Sequence, residues 1–180
     1  MKLEKQKEIF EGLKEEFGFK NIWQSPRIEK IVVSSGTGKK VKTDRFRNDV
    51  VSERLAKITG QKPAIRGAKF SIAGFKIRQG DPVGQVVTLR GRMAENFFDK
   101  LVHIALPRTK DFRGVNRTAV DEMGNLTIGV KEHTIFPETG DEDIKDIFGM
   151  SITIVTSAKN KEVAIKYLEK MGVPFKKIEE

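Results

Sequence analysis

Two periodicities run through the apolar positions of this chain. Leu3, Phe10, Leu13 and Phe17 share one helical face, with Ile9 beside them. This predicts a helix over residues 2–18 that Gly18 stops. Phe46, Val50, Val51, Leu55 and Ile58 cover half of a second helix, capped by Thr43 or Asp44 and running to about Thr59. Met93, Phe97, Leu101 and Ile104 form the stripe of a third over 92–105, which Pro107 ends. Val163, Ala164, Tyr167, Leu168 and Met171 face inward on a fourth over 160–171, closed by Gly172. Between these stretches apolar and polar residues alternate. RIEKIVV (27–33) reads as a strand behind Pro26, and 62–66 as a short one. In GQVVTLRG (84–91), Val87 and Leu89 take one face, and Val86, Thr88 and Arg90 the other. Leu126, Ile128 and Val130 alternate after a Gly124-Asn125 turn. In 151–157, Ile152 and Ile154 lie opposite Thr153 and Val155.

The predicted order is helix, strand, helix, strand, loop, strand, helix, strand, strand, helix. This is an α+β pattern: helices on one face of a mostly antiparallel sheet, around a split β-α-β core of ferredoxin-like or RRM-like kind. The other sheet face is left open, and such a face is a known kind of RNA platform. With 180 residues the chain suits a single domain over 1–180. Phe19, Ile22 and Trp23 are expected to be core or docking residues; for Trp23 a base-stacking role is the lesser alternative to packing.

Charge changes the picture. Residues 62–92 carry Lys62, Arg66, Lys69, Lys76, Arg78, Arg90 and Arg92 against Asp81 alone. That net +6 is two thirds of the chain's +9, on a sixth of its length. Such a concentrated field most often serves a polyanion. The stretch 67–81 is too long for a hairpin turn, and long loops in compact domains are usually functional or disordered. Lys69, Lys76 and Arg78 alternate there with Phe70, Ile72 and Phe75, as suits a loop that stacks on bases while holding phosphates. The plainer alternative buries those three apolar groups under the loop. If helices cover Val87 and Leu89, then Thr88 and Arg90 point from the open face, where a hydroxyl and a guanidinium suit RNA. Residues 108–117 are irregular and net +3, while 138–146 are net −4.

Other chemistry finds little support. The chain has no cysteine, so it has neither a disulfide framework nor a thiolate metal site. Ser34–Lys40, SSGTGKK, looks like a loop beside an RNA backbone, but the full Gly-x4-Gly-Lys-Ser/Thr nucleotide pattern is missing. The acidic 138–146 stretch does not match a calcium loop. Of the two histidines, His103 sits in an apolar helix and is expected to be packed; Glu132 beside His133 should point to the opposite face. No nucleophile–base arrangement is visible, so neither catalysis nor a cofactor or metal is expected. No apolar run is long enough for a membrane span, and the charged start from Lys2 lacks a signal core. The expectation is a soluble intracellular protein without a membrane partner.

Several motifs then occur in one order: ITGQKP (58–63), SIAGFKIRQG (71–80), PVGQVVTLRG (82–91), LPRTKDFRG (106–114), FPE (136–138) and SITIVTSAK (151–159). Through them the chain resembles the bacterial-type 5S rRNA-binding family, the fifth protein of the large ribosomal subunit, from PRIEKIVV (26–33) to GVPF (172–175). The resemblance implies a structural, cytoplasmic, ribosome-bound role. It implies contact with 5S rRNA in the central protuberance, with 23S rRNA and with neighbouring ribosomal proteins there. Gln61, Thr88 and Arg90 would lie in the rRNA contact, with Lys62 and Arg92 beside them. The family usually has asparagine where this chain has Ser34. Serine keeps a donor and an acceptor but lacks the amide fork, so that contact is expected to be lost, weakened or water-bridged. The 67–81 loop would reach peptidyl-site tRNA through Lys69, Phe70, Ser71, Lys76 and Arg78. A basic small-subunit head protein would meet the acidic stretch at Asp141, Glu142 and Asp143. The alternative is a stand-alone RNA-binding or RNA-chaperone module on the same fold. A small nucleotide-dependent enzyme using Gly36-Thr37-Gly38 is the more distant rival.

Overall fold

A computed structural model describes residues 3–38, 47–110, 112–140 and 147–176. Its described helices are α1 (Leu3–Phe17), α2 (Arg47–Thr59), α3 (Gly91–Lys100) and α4 (Lys161–Lys170). Its strands are β1 (Ile28–Gly36), β2 (Ala64–Gly67), β3 (Pro82–Leu89), β4 (Leu126–Val130) and β5 (Met150–Thr156). They form one open antiparallel sheet in the order β2-β3-β1-β5-β4. β3 lies between β1 and β2, the two strands that α2 connects, which is the split β-α-β arrangement. The α+β expectation holds.

The chain divides into two compact units. The first comprises residues 1–31, 90–128 and 153–180. Its core gathers Leu13 of α1, Phe97 and Phe98 of α3, Leu126 and Ile128 of β4, Ile154 of β5, and Tyr167 and Leu168 of α4. Burial pushes the Tyr167 phenol well above its ordinary range. Helix α4 stops where the sequence says it should. Gly172 adopts φ +96 and its N–H donates to Glu169 O, while the Val173 N–H donates to Leu168 O. Buried Val173 completes a Schellman closure, which needs the left-handed conformation that glycine adopts without strain.

Three expectations fail in this unit. The buried side of α3 and its continuation is Ala94, Phe97, Phe98, Leu101, Val102, Ala105 and Leu106, whereas Met93 and Ile104 are exposed. The helix widens into a π-turn over Leu101–Ala105 and closes in a turn, Leu106–Arg108, that includes Pro107. His103 lies on the exposed side of that turn and is not packed. Trp23 sits in the short turn Ile22–Gln24 and is 68% exposed, against the expectation of packing.

The second unit comprises residues 32–89 and 129–152. Val51, Leu55 and Ile58 of α2 are buried with Val87 and Leu89 of β3. The Gln85 amide, also on this side, donates to the Asn48 backbone oxygen. Phe136, Phe148 and Ile152 complete the core. His133 is buried too, its ring stacked on Phe148 with centroids 4.3 Å apart and its Nδ1 accepting the Phe148 N–H. The Arg54 guanidinium lies 3.3 Å from the other ring nitrogen. His133 is thus a packing residue, and exposed Glu132 is directed away from it.

Candidate nucleic-acid interface

The strand β1 runs further than its composition implies. Ser34, Ser35 and Gly36 are strand residues rather than loop, because burial continues to alternate through Ile31, Val33, Ser35 and Thr37. The Ser35 hydroxyl donates to Gly149 O at 2.9 Å. Ser34 therefore faces the other way, half-exposed. The amides of Thr37 and Gly38 both donate to Val83 O, at 2.9 and 3.1 Å. Two of the N–H groups that a phosphate loop would need are engaged within the sheet, which corrects the loop reading of this segment.

On β3, Gln85, Val87 and Leu89 are buried; Gly84, Val86 and Thr88 take the opposite, half-exposed face. The β2–β3 register is antiparallel, with Ala64 opposite Val86 and Arg66 opposite Gly84. Side chains directly opposite share a face, so Arg66 belongs with Thr88 and Val86. The alternation of β1 puts Val32 and Ser34 on the face opposite its buried residues. Hydroxyls, small or apolar groups and one guanidinium make up this surface, with no carboxylate among these seven residues. Arg66 was counted in the sequence only as charge. Its face became readable once the register fixed β2 against β3.

Gln61 and Lys62 follow the end of α2. The Thr59 hydroxyl donates to Leu55 O at 2.7 Å and also lies 3.1 Å from Gln61 O. Pro63 is buried. The backbone here is held at both ends while the Gln61 and Lys62 side chains are exposed. Arg90 and Arg92 belong to the other unit. Arg90 is the cap residue of α3, with extended backbone at φ −137 and ψ 161, and both arginines are exposed.

Residues 67–81 form a finger, a continuation of the β2–β3 hairpin rather than an irregular loop. Ala68 bonds across it in both directions: its N–H donates to Asp81 O at 2.9 Å, and its O accepts the Gly80 N–H at 3.0 Å. Ile72 and Ile77 then pair, above a turn at Ala73–Phe75. Lys76, at φ 50 and ψ 35, closes that turn in the left-handed region. The Ser71 hydroxyl accepts the Gln79 N–H, and an Asp81 carboxylate oxygen accepts the Arg78 N–H. Backbone and short side chains brace each other, so the long ones project. Phe70 is 76% and Phe75 69% exposed, and Lys69, Lys76 and Arg78 are exposed as well. The alternative in which the loop buries its own apolar groups does not hold.

Asp141, Glu142 and Asp143 lie outside the described residues, as do Lys39, Lys40, Lys42 and Arg45 of the basic approach to α2. Among the described residues no group of three or more His, Cys, Asp or Glu is placed to hold a metal, and no helix is long and apolar enough to cross a membrane.

A sheet face with no carboxylate among those seven residues, beside a finger of exposed rings and cations, suits a ligand that is both polyanionic and able to stack. The class so defined is an RNA-binding α+β protein. Residues 21–78 match the sequence model of ribosomal protein L5, and residues 82–175 match the model of that ribosomal family's C-terminus. The chain belongs to the ribosomal protein L5 family. It is a cytoplasmic rRNA-binding component of the large ribosomal subunit, structural rather than catalytic, and it serves translation.

Proposed function

We propose that this protein holds 5S rRNA in the central protuberance of the large subunit, in contact with 23S rRNA and with neighbouring ribosomal proteins. The observation that carries this reading is the face shared by Ser34, Thr88 and Arg66. The hydroxyls there can meet 2′-hydroxyls and phosphate oxygens, and the guanidinium supplies charge. Gln61, Lys62, Arg90 and Arg92 extend the rRNA contact. The finger serves peptidyl-site tRNA through Lys69, Phe70, Ser71, Lys76 and Arg78, whose exposed ring and cations match a looped, partly unstacked nucleic acid. The acidic residues Asp141, Glu142 and Asp143 meet a basic protein of the small-subunit head.

The test is binding to 5S rRNA and to an unrelated structured RNA of similar length across a salt series. Both bind at low salt through counterion release. Binding of 5S rRNA should persist at salt that abolishes the other; a joint fall along one line would leave only a polyanion binder. Arg90→Ala should weaken 5S binding by about 1–3 kcal/mol, as for a lost charge-assisted contact. Lys76→Ala should leave 5S binding nearly unchanged and impair tRNA-dependent function. Equal loss of 5S binding in both variants would contradict this division.

A further inference from the structure

The chain's single tryptophan is held outward by a braced turn. The Asn21 side-chain oxygen accepts the Trp23 N–H at 3.1 Å, and Gln24 Oε1 accepts the Lys20 N–H at 2.8 Å. Gln24 N–H donates back to Asn21 O, and Ser25 N–H to Ile22 O. Buried Ser25 and Pro26 then anchor the segment. The turn is ordered by its own bonds, yet the largest apolar side chain it carries faces water. A large aromatic face held in water by an ordered turn is available to a ligand that stacks.

The surroundings of the ring say what that is. Each side-chain amide oxygen accepts a backbone N–H, which leaves the NH2 groups of these exposed residues as donors. Lys20 and Arg27 are exposed on either side, and no carboxylate occurs from Gly18 to Arg27. A protein anchor pocket would bring apolar groups to an apolar rim. Here the exposed residues that flank the ring along the chain are amides and cations. A flat π face with donors beside it and positive charge flanking it is complementary to a nucleobase and its phosphates.

We propose that Trp23 is a stacking platform for one unpaired RNA base, with the Asn21 and Gln24 amides at the base edge and Lys20 and Arg27 on the adjoining phosphates. The site belongs to the first unit, whereas the sheet face of Ser34, Thr88 and Arg66 and the finger belong to the second. It rests on the family's RNA-binding character and not on the assignment to 5S rRNA.

Because Trp23 is the only tryptophan, its emission reports on the site directly. The intact protein is titrated with a short single-stranded RNA oligonucleotide of mixed sequence, and with the blunt duplex of that sequence at the same salt. Binding is followed independently by the anisotropy of a label on the RNA. The single strand should quench the emission and shield it from acrylamide; the duplex should do so much less. Trp23→Ala should bind the single strand roughly 5- to 100-fold more weakly, while Trp23→Phe, which keeps a ring, recovers most of the loss. The side chain is exposed, so neither variant should lose its fold, and circular dichroism checks this. Unchanged emission at saturating single strand, or undiminished binding by Trp23→Ala, overturns the proposal. Protection of Trp23 from hydroxyl-radical oxidation in assembled large subunits, without quenching by the single strand, also overturns it, in favour of a protein cover. Thr88→Ala, measured against 5S rRNA, reports separately on the sheet face and should leave the quenching intact.

Discussion

Two stretches of this chain look alike as sequence and behave oppositely as structure. Residues 67–81 and 108–117 are both net positive, contain glycine and phenylalanine, and lack a clear period. The first becomes a finger that pairs with itself through Ala68, Gly80, Ile72 and Ile77 and leaves its long side chains outside. The second is clasped to another part of the chain over 114–117, while Arg108, Lys110 and Arg113 before it are exposed. Val115 N–H donates to Pro174 O and Val115 O accepts the Lys176 N–H, at 2.8 and 2.9 Å. Arg117 forms an ion pair with Glu169 and stands 5.8 Å over the Phe175 ring. Composition therefore does not decide whether a basic segment faces a ligand. What decides it is where the backbone finds its hydrogen bonds, because that sets whether the side chains are used within the protein or project from it.

The strongest way to break this contrast is at its glycines. Gly114 adopts φ +98, and a Cβ there would lie 2.8 Å from Lys176 N and 2.9 Å from Phe175 C. Gly114→Ala combines backbone strain with a clash against main chain that cannot swing away. It should cost about 2–4 kcal/mol in urea unfolding. A Cβ on Gly74 of the finger would meet nothing within 4 Å. Gly74→Ala should change stability by less than about 0.5 kcal/mol. If the two variants unfold together, the clasp is not part of the cooperative structure.

The apolar side chains give the next largest effect. Val115 is buried, so Val115→Ala should cost about 2 kcal/mol through lost burial and packing. Phe70 is larger but stands in water, so Phe70→Ser should leave stability within about 0.5 kcal/mol while weakening the tRNA contact proposed for the finger. The comparison inverts if the serine variant is the less stable of the two. A smaller effect is expected at Arg117. Both partners of its ion pair are about one-third exposed. Arg117→Met, which keeps the apolar stem, should cost about 1 kcal/mol or less, and the difference from wild type should shrink with added salt.

Much of this was readable in the sequence, for reasons that also explain the failures. Burial alternates along β3, β4 and β5 as the apolar residues do, because one face of each strand packs and the other does not. Strand β1 was read too short since serine and glycine usually mark loops. At Ser34–Gly36 they are strand residues, with the Ser35 hydroxyl tied to Gly149 O across the unit. The face of α3 was misread where Leu101–Ala105 opens into a π-turn, which a fixed 3.6-residue period cannot anticipate. Of the candidate site, Thr88 followed from alternation alone. Arg66 required the β2–β3 register, and the finger's ladder required long-range backbone pairing that local composition does not encode. The packing expected of Trp23 fails because large aromatics are usually buried, whereas here the side-chain bonds of Asn21 and Gln24 brace the turn that exposes it.

The turn at 121–125 is a third kind of loop, and it sharpens the contrast with the smallest effect. Like the finger it ends in an exposed apolar residue, Met123; like the clasp it is tied elsewhere, through the Thr156 hydroxyl on Gly124 O at 2.7 Å. Asp121 N–H donates to Asn125 O and Gly124 N–H to Asp121 O, and the Asp121 carboxylate adds to this closure. One Asp121 carboxylate oxygen accepts the Asn125 N–H at 2.7 Å and the other the Asn125 amide at 2.9 Å. Burial works to raise this carboxyl, but the hydrogen bonds from the Asn125 side chain and backbone, and from Met123 and Gly124, hold it below its ordinary value of 3.8. A depressed acid stabilises the fold above its unfolded value, and that contribution disappears as pH falls through the folded one. Asp121→Asn should therefore be less stable than wild type at neutral pH, by roughly a few tenths of a kcal/mol for so exposed a group. The two proteins should converge as pH falls from 3.8 through the lowered folded value and the carboxylate is protonated. Convergence would show that the charge on Asp121 closes the turn. A difference that stays constant down to acid pH would assign the closure to the shape of the side chain and to the Thr156 tie, placing this turn with the backbone bonds of Val115 in the clasp, which do not depend on an ionised group.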